Sequence, residues 1–232
     1  MANENSAPQD KRFQITTRSG EIINLDKDTV KRYLTDNVEI TNSEFTMFFQ
    51  LCKVHKVNPF LKEAYIIKYG NSPATIVLDY KVLQQAAEEN KAYRGMKHGV
   101  IVEKGGEIIE RNGEYKLPGE TLVAGWCEVY RADRDQPTRV TAMFNEFASV
   151  KKDGTVNANW AGKPCFMICK VAKAQALREA FPNLFGSNVY TAEEATTFSQ
   201  PKDETPSKTS VSNSIIADDE AEEAAAKAEE AE

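Results

Sequence analysis

Apolar residues recur along this chain with two periods, and the longest apolar pattern lies at residues 160–181, reading WAGKPCFMICKVAKAQALREAF. Pro164 suits the first turn of a helix, where its missing N–H would have no partner anyway. Pro182 marks the stop. Between the two prolines, apolar residues from Cys165 to Ala180 leave almost no polar face, so the spacing predicts a buried helix. Lys170, Lys173 and Arg178 interrupt it. At about 100° per residue they share an arc of roughly 140°, with Lys170 at its middle. Cations on an otherwise buried helix need water or an anion. The helix is therefore expected to lie beneath a groove and to raise its basic groups toward a polyanion.

The rest of the pattern alternates strands with short helices. Residues 13–25 read as a hairpin around Ser19-Gly20, and residues 28–37 as a short helix. Thr41 and Glu44 form a capping box, followed at helical spacing by Phe45, Phe48, Phe49 and Cys52, which predicts a helix ending before Asn58-Pro59. Those phenylalanines suit core packing, with a contact between protomers as the other reading. Strands are expected over 63–69 and 74–78 around a Gly-Asn-Ser-Pro turn. Asp79 then caps a helix through Asn90 that turns Val82, Leu83, Ala86 and Ala87 inward. Four β runs follow, at 98–104, 107–111, 121–131 and 139–145. Gly105-Gly106 and Asn112-Gly113 are both two-residue hairpin signals. Residues 133–137 form a turn and 151–159 a polar loop. The fold class is α+β: a small antiparallel or mixed sheet with hairpins, packed on central helices.

Composition sets the boundaries. Residues 1–12 look unstructured, and 13–188 are taken as the core. Residues 189–232 are taken as a disordered acidic tail, poor in anything to bury. The net charge of −6 divides unevenly. Residues 191–232 carry 12 acidic residues against 3 lysines, while residues 1–190 carry 26 basic and 23 acidic. Residues 151–190 hold six basic residues and only Asp153 and Glu179 as acids. Such separation of sign suggests a polyanion-binding body with an acidic appendage, either partner-binding or competing for the same groove. No secretory h-region and no membrane-length apolar run is present. Cys52, Cys127, Cys165 and Cys169 form no C-x-x-C pair and read as buried, reduced thiols of a cytoplasmic protein.

Catalytic chemistry finds little support. There is no Walker-type phosphate loop, and Gly105-Gly106 leads into a strand rather than a helix. His55 and His98 are the two histidines, too few for a nucleophile–base set or for a zinc site built on Cys165 and Cys169. Asp133 and Asp135 suit a turn paired with Arg131 or Arg134 better than a Mg²⁺ site. No enzyme, cofactor or metal is expected. Binding of single-stranded nucleic acid needs cations for phosphates and apolar surface for bases. Lys151, Lys152, Trp160, Lys163, Lys170, Lys173 and Arg178 supply that set within 28 residues.

Several segments resemble a known family. Asn58-Pro-Phe-Leu-Lys-Glu-Ala-Tyr65, Val77-Leu-Asp-Tyr80, Glu89-Asn90 and Tyr93-Arg-Gly-Met96 are among them. Residues 130–137 with Val140-Thr141 continue the match, as do Trp160, Pro164, Met167, Ala172, Gln175, Arg178 and Ala180-Phe181. In order, these resemble the phage Bet (λ Redβ) type within the RecT/Redβ superfamily of single-strand annealing proteins. The resemblance implies ATP-independent binding of single-stranded DNA in a basic groove, assembly into rings or helical filaments, and annealing of complementary strands. It also implies work beside a phage 5′→3′ exonuclease and a host single-strand-binding protein. By position, Lys62 and Arg178 match the lysine and arginine of the family motifs. Cys165 and Val171 stand where the family carries lysines, so Lys163, Lys170 and Lys173 are expected to keep the charge in altered register. A passive strand-coating module of OB-fold type is the alternative, and the long helices argue against its barrel.

Overall fold

A helix that is apolar all round must be covered all round, and the fold is arranged to do that for residues 164–180. The structure, a computed structural model, describes residues 13–35, 38–68, 72–151, 153–185 and 190–198, with 196–198 described by backbone alone. They belong to one compact unit that extends to Gln200. The architecture is α+β. A hairpin, β1 (Gln14–Thr16) and β2 (Ile22–Asn24), precedes helix α1 (Lys27–Leu34) and helix α2 (Asn42–His55). A 3₁₀ turn (Pro59–Leu61) leads into a second hairpin, β3 (Ala64–Ile67) and β4 (Thr75–Leu78), and then helix α3 (Tyr80–Glu88). Strands β5 (Tyr93–Lys104), β6 (Glu107–Asn112), β7 (Thr121–Arg131) and β8 (Thr138–Met143) form an antiparallel sheet in the order β6-β5-β7-β8. Short helices α4 (Phe144–Phe147) and α5 (Ala158–Gly162) lead to α6 (Pro164–Ala180), followed by α7 (Pro182–Phe185) and α8 (Ala192–Phe198).

Helix α6 lies across one face of the sheet against β7, β8 and β5, and meets α3, α7 and α8 on its remaining sides. Close approach is written into Gly125: a Cβ there would stand 2.9 Å from the carbonyl carbon and oxygen of Ile168. The Cys169 thiol donates to the Gly99 carbonyl at 3.2 Å, fixing the helix against β5 as well. Ile168, Val171, Ala172, Ala176 and Leu177 are fully buried. All four cysteines are free and buried, and burial pushes the thiols of Cys52, Cys127 and Cys169 up to about 12.

Local signals were obeyed where a cap or turn sets the geometry. Thr41 and Glu44 form the capping box of α2, and Asp79 caps α3 through Lys81 N–H at 2.9 Å. Gly105 (φ 62°) and Gly106 (φ 87°) make the primed turn between β5 and β6. Phe45, Phe48, Phe49 and Cys52 are core residues. Asp133 pairs with Arg131 in the turn after β7, as expected.

Four expectations are corrected. Asn112-Gly113 does not turn a hairpin. Strand β6 lies on the sheet's edge, and the chain crosses past β5 to reach β7. The Gly113 N–H donates instead to the His98 carbonyl at 2.9 Å. Gly99 permits that crossing, since a Cβ there would lie 1.8 Å from the Arg111 carbonyl oxygen. Strand β5 begins at Tyr93 rather than 98, because β7 is long enough to pair with all of it. Strand β8 stops at Met143, and the chain turns helical at Phe144. Order continues beyond 188: Tyr190 bridges to Val77, and α8 packs on α6 with Ala195 fully buried. Residues 199–232, the 1–12 segment and Gly70-Asn71 of the 70–73 turn lie outside the described residues.

Candidate nucleic-acid interface

The three cations of α6 find their anions within the protein. Arg178 donates through Nη1 to Glu194 Oε2 at 2.8 Å and pairs through Nη2 with Oε1. Lys170 pairs with Glu193 of the same short helix α8. Lys173, 5 % exposed, reaches Glu114 in the β6–β7 connection at 2.7 Å, and His98 Nε2 shares that carboxylate at 3.2 Å. Burial alone would raise the pKa of Glu114, but hydrogen bonds from His98 and Lys173 overturn this and lower it. Tyr80 of α3 lies between the two lysines, its ring 5.3 Å from Lys170 Nζ and 4.9 Å from Lys173 Nζ. Glu194 is 2 % exposed and also accepts from the Thr191 N–H and hydroxyl, at 2.9 and 3.0 Å. Among the described residues no buried side-chain nitrogen or oxygen lacks a partner. The electrostatic need read from α6 is real, and carboxylates of this chain meet it.

Trp160 is likewise internal. It is 2 % exposed and packs edge-on to Phe144 at 5.8 Å, so no ring face is open to a base. Its place in α5 anchors the connection that carries the polar loop. Lys152 lies outside the described residues.

Lys62, Lys151 and Lys163 are different. Each is exposed, and among the described residues none has a carboxylate partner. Each also stands on backbone held in place. Asn58 is the clamp for Lys62: its Oδ1 accepts from Phe60 N–H at 3.0 Å, and its N–H donates to Glu63 Oε2 at 2.6 Å. The Lys62 N–H then closes onto the Pro59 carbonyl at 3.0 Å, leaving Lys62 left-handed at φ 59°. This is the physical content of the Asn-Pro-x-x-Lys-Glu spelling: both polar ends of the segment tie its turn, and the lysine between them is held outward. Lys62 also borders two clefts, of about 560 and 220 Å³, the larger lined by Tyr33 and Tyr65 and the smaller by Lys81.

Lys151 opens a tight turn in which its N–H donates to Thr155 at 2.7 Å and its carbonyl accepts from Gly154 at 3.0 Å. Asp153 stiffens that turn by accepting from Thr155 at 2.9 Å. Lys163 sits at the α5–α6 junction, where α6 has no side-chain cap. Its ammonium thus adds to the positive end of a 17-residue helix. Sequence reasoning reached these three exposed lysines together with Trp160 and Lys173, which are buried, and Lys170 and Arg178, which are half-buried in ion pairs. Pairing distant in sequence, as between Lys173 and Glu114, leaves no local signal.

What the fold and these residues define is an α+β protein with exposed lysines at two hydrogen-bonded turns and at a helix junction. Among the described residues no cluster of His, Cys, Asp or Glu could hold a metal ion, and no helix is long and apolar enough to cross a membrane. The chain belongs to the RecT family, whose sequence profile matches residues 20–206. This is a family of recombination proteins that anneal single strands, and its match spans both α6 and the carboxylates of α8. A search of curated proteins returned no match.

Proposed function

We propose that this chain is an ATP-independent annealing protein of the phage Bet type, which binds single-stranded DNA, assembles on it and brings complementary strands together. The family match over residues 20–206 carries the reading. Lys62, Lys151 and Lys163, with Lys152 beside them in sequence, are the phosphate contacts. Phosphate contacts hold a strand without reading it and so leave recognition to base pairing. Lys170, Lys173 and Arg178 act as internal struts, and Trp160 as an anchor, which their ion pairs and burial favour. Lysine on each strand lowers the repulsion between two phosphate backbones, which is the main barrier to pairing once bases are free. A phage 5′→3′ exonuclease would supply the strand and a host single-strand-binding protein would meet it, in the bacterial cytoplasm.

Mixing complementary oligonucleotides with the full chain, without nucleotide or metal, tests the proposal. Duplex formation faster than in buffer supports it. Binding with no acceleration identifies a passive coating protein instead, and no salt-sensitive binding overturns both readings.

A further inference from the structure

Lys62 and Asp79 line both of two adjoining clefts. The larger, of about 560 Å³, has Tyr33 from the last turn of α1 and Tyr65 of β3 in its lining. The smaller, of about 220 Å³, has Lys81 from the first turn of α3. Backbone sets the two shared groups side by side: the Asp79 N–H donates to the Glu63 carbonyl at 2.9 Å, next to the turn that holds Lys62 outward. Asp79 uses one carboxylate oxygen to cap α3 through the Lys81 N–H, and a carboxylate can accept several further hydrogen bonds.

Tyr33 is 67 % exposed, with the Arg32 guanidinium 6.0 Å from its ring centroid. A lone exposed aromatic is ordinary. One that shares a cleft with a second tyrosine, an exposed ammonium and a carboxylate is a combination to be accounted for. The larger volume lies in the roughly 300–1,000 Å³ range of small-molecule sites. An apolar peptide seated there would bury the Asp79 carboxylate without a donor. A free phosphate would meet that carboxylate as a like charge and would leave both rings unused. A nucleotide answers every group: its phosphate suits Lys62 and Lys81, and its base suits the tyrosines as a stacking platform. Each of the four bases also carries an N–H on its pairing edge, which Asp79 can accept whatever the sequence.

We infer that the larger cleft is a base subsite: it takes one base of the bound strand, stacked on Tyr33, while Lys62 and Lys81 hold the adjoining phosphate. The inference rests on the strand binding of the proposed function. The captured base has its pairing edge engaged by Asp79, whereas the bases on either side of it stay free for a complementary strand. Tyr33 is thus a positioning residue that fixes where the strand sits on the protein without selecting its sequence.

Fluorescence anisotropy at low salt with the full chain tests this. The two probes are an oligothymidylate and a strand of equal length in which tetrahydrofuran residues replace every base. Wild type should bind the thymidylate about tenfold more tightly, the order that stacking of one base contributes. Tyr33→Leu should lose most of that preference, with its affinity for the abasic strand, its salt slope and its Tm unchanged. Tyr33→Phe, which keeps the ring, should retain it. Phe166→Leu, which removes a different exposed ring on α6, should retain it too. Equal binding of the two strands by wild type, a preference that survives Tyr33→Leu, or one lost in Phe166→Leu instead would overturn the base subsite and leave strand binding and annealing standing. A wild-type chain that binds neither strand would remove the proposed function, and the base subsite with it.

Discussion

Arg178 on α6 and Glu194 on α8 form a two-point ion pair that closes the C-terminal side of the core, with the carboxylate 2 % exposed. A lysine–carboxylate pair about two turns earlier on α6, Lys170 with Glu193, repeats the link. These contacts hold a segment rich in Glu, Ala and Thr, helical over Ala192–Phe198, against the core. Cutting a buried pair leaves a charge without a partner, which costs more than removing both members.

Arg178→Met should therefore lower stability by about 3–5 kcal/mol. Arg178→Met with Glu194→Met should recover at least half of that loss. Chemical denaturation of the two variants measures both values. An Arg178→Met chain as stable as wild type, with weakened DNA binding, would return this arginine to the interface.

At Lys62 the charge and the backbone make opposite demands. A left-handed φ costs a residue with a Cβ roughly 1–2 kcal/mol, which glycine avoids. Lys62→Gly should keep Tm within a few degrees while weakening binding to single strands several-fold at low salt. Filter binding and thermal unfolding on the same sample check both halves.

Salt dependence separates exposed lysines from internal ones. Binding of a single strand loses about 0.7 in the slope of log K against log salt for each phosphate contact removed. Lys151→Ala and Lys163→Ala should each lower the slope by about that amount. Lys170→Ala should instead lower Tm and leave the slope unchanged.

Acid should attack one junction early. The hydrogen bond from Lys68, with those from the Thr41 and Ala74 N–H groups, holds the Glu44 carboxyl at about 2. A depressed carboxyl adds stability that is complete above its unfolded value near 4.5 and is lost as pH falls toward 2. Glu44→Gln should cost about 1–2 kcal/mol at pH 7, allowing for solvent screening. The difference from wild type should shrink through that window, as urea titrations at pH 7, 4 and 2.5 would show.

Sequence alone determined whatever rests on neighbours within a turn. The Thr41–Glu44 box, the Asp79 cap, the paired glycines at 105 and 106 and the proline limits of α6 are local hydrogen-bond and φ choices. The demand of α6 for anions was legible too, since three cations on an apolar helix need partners anywhere. Which anions met it was decided by tertiary structure. Glu114 lies 59 residues from Lys173, and Glu194 lies 16 residues from Arg178. The crossing from β6 past β5 to β7 was equally hidden, since it turns on Gly99 admitting the Arg111 carbonyl. Residue type announces that a charge or a glycine must be accommodated, and packing between distant segments decides where.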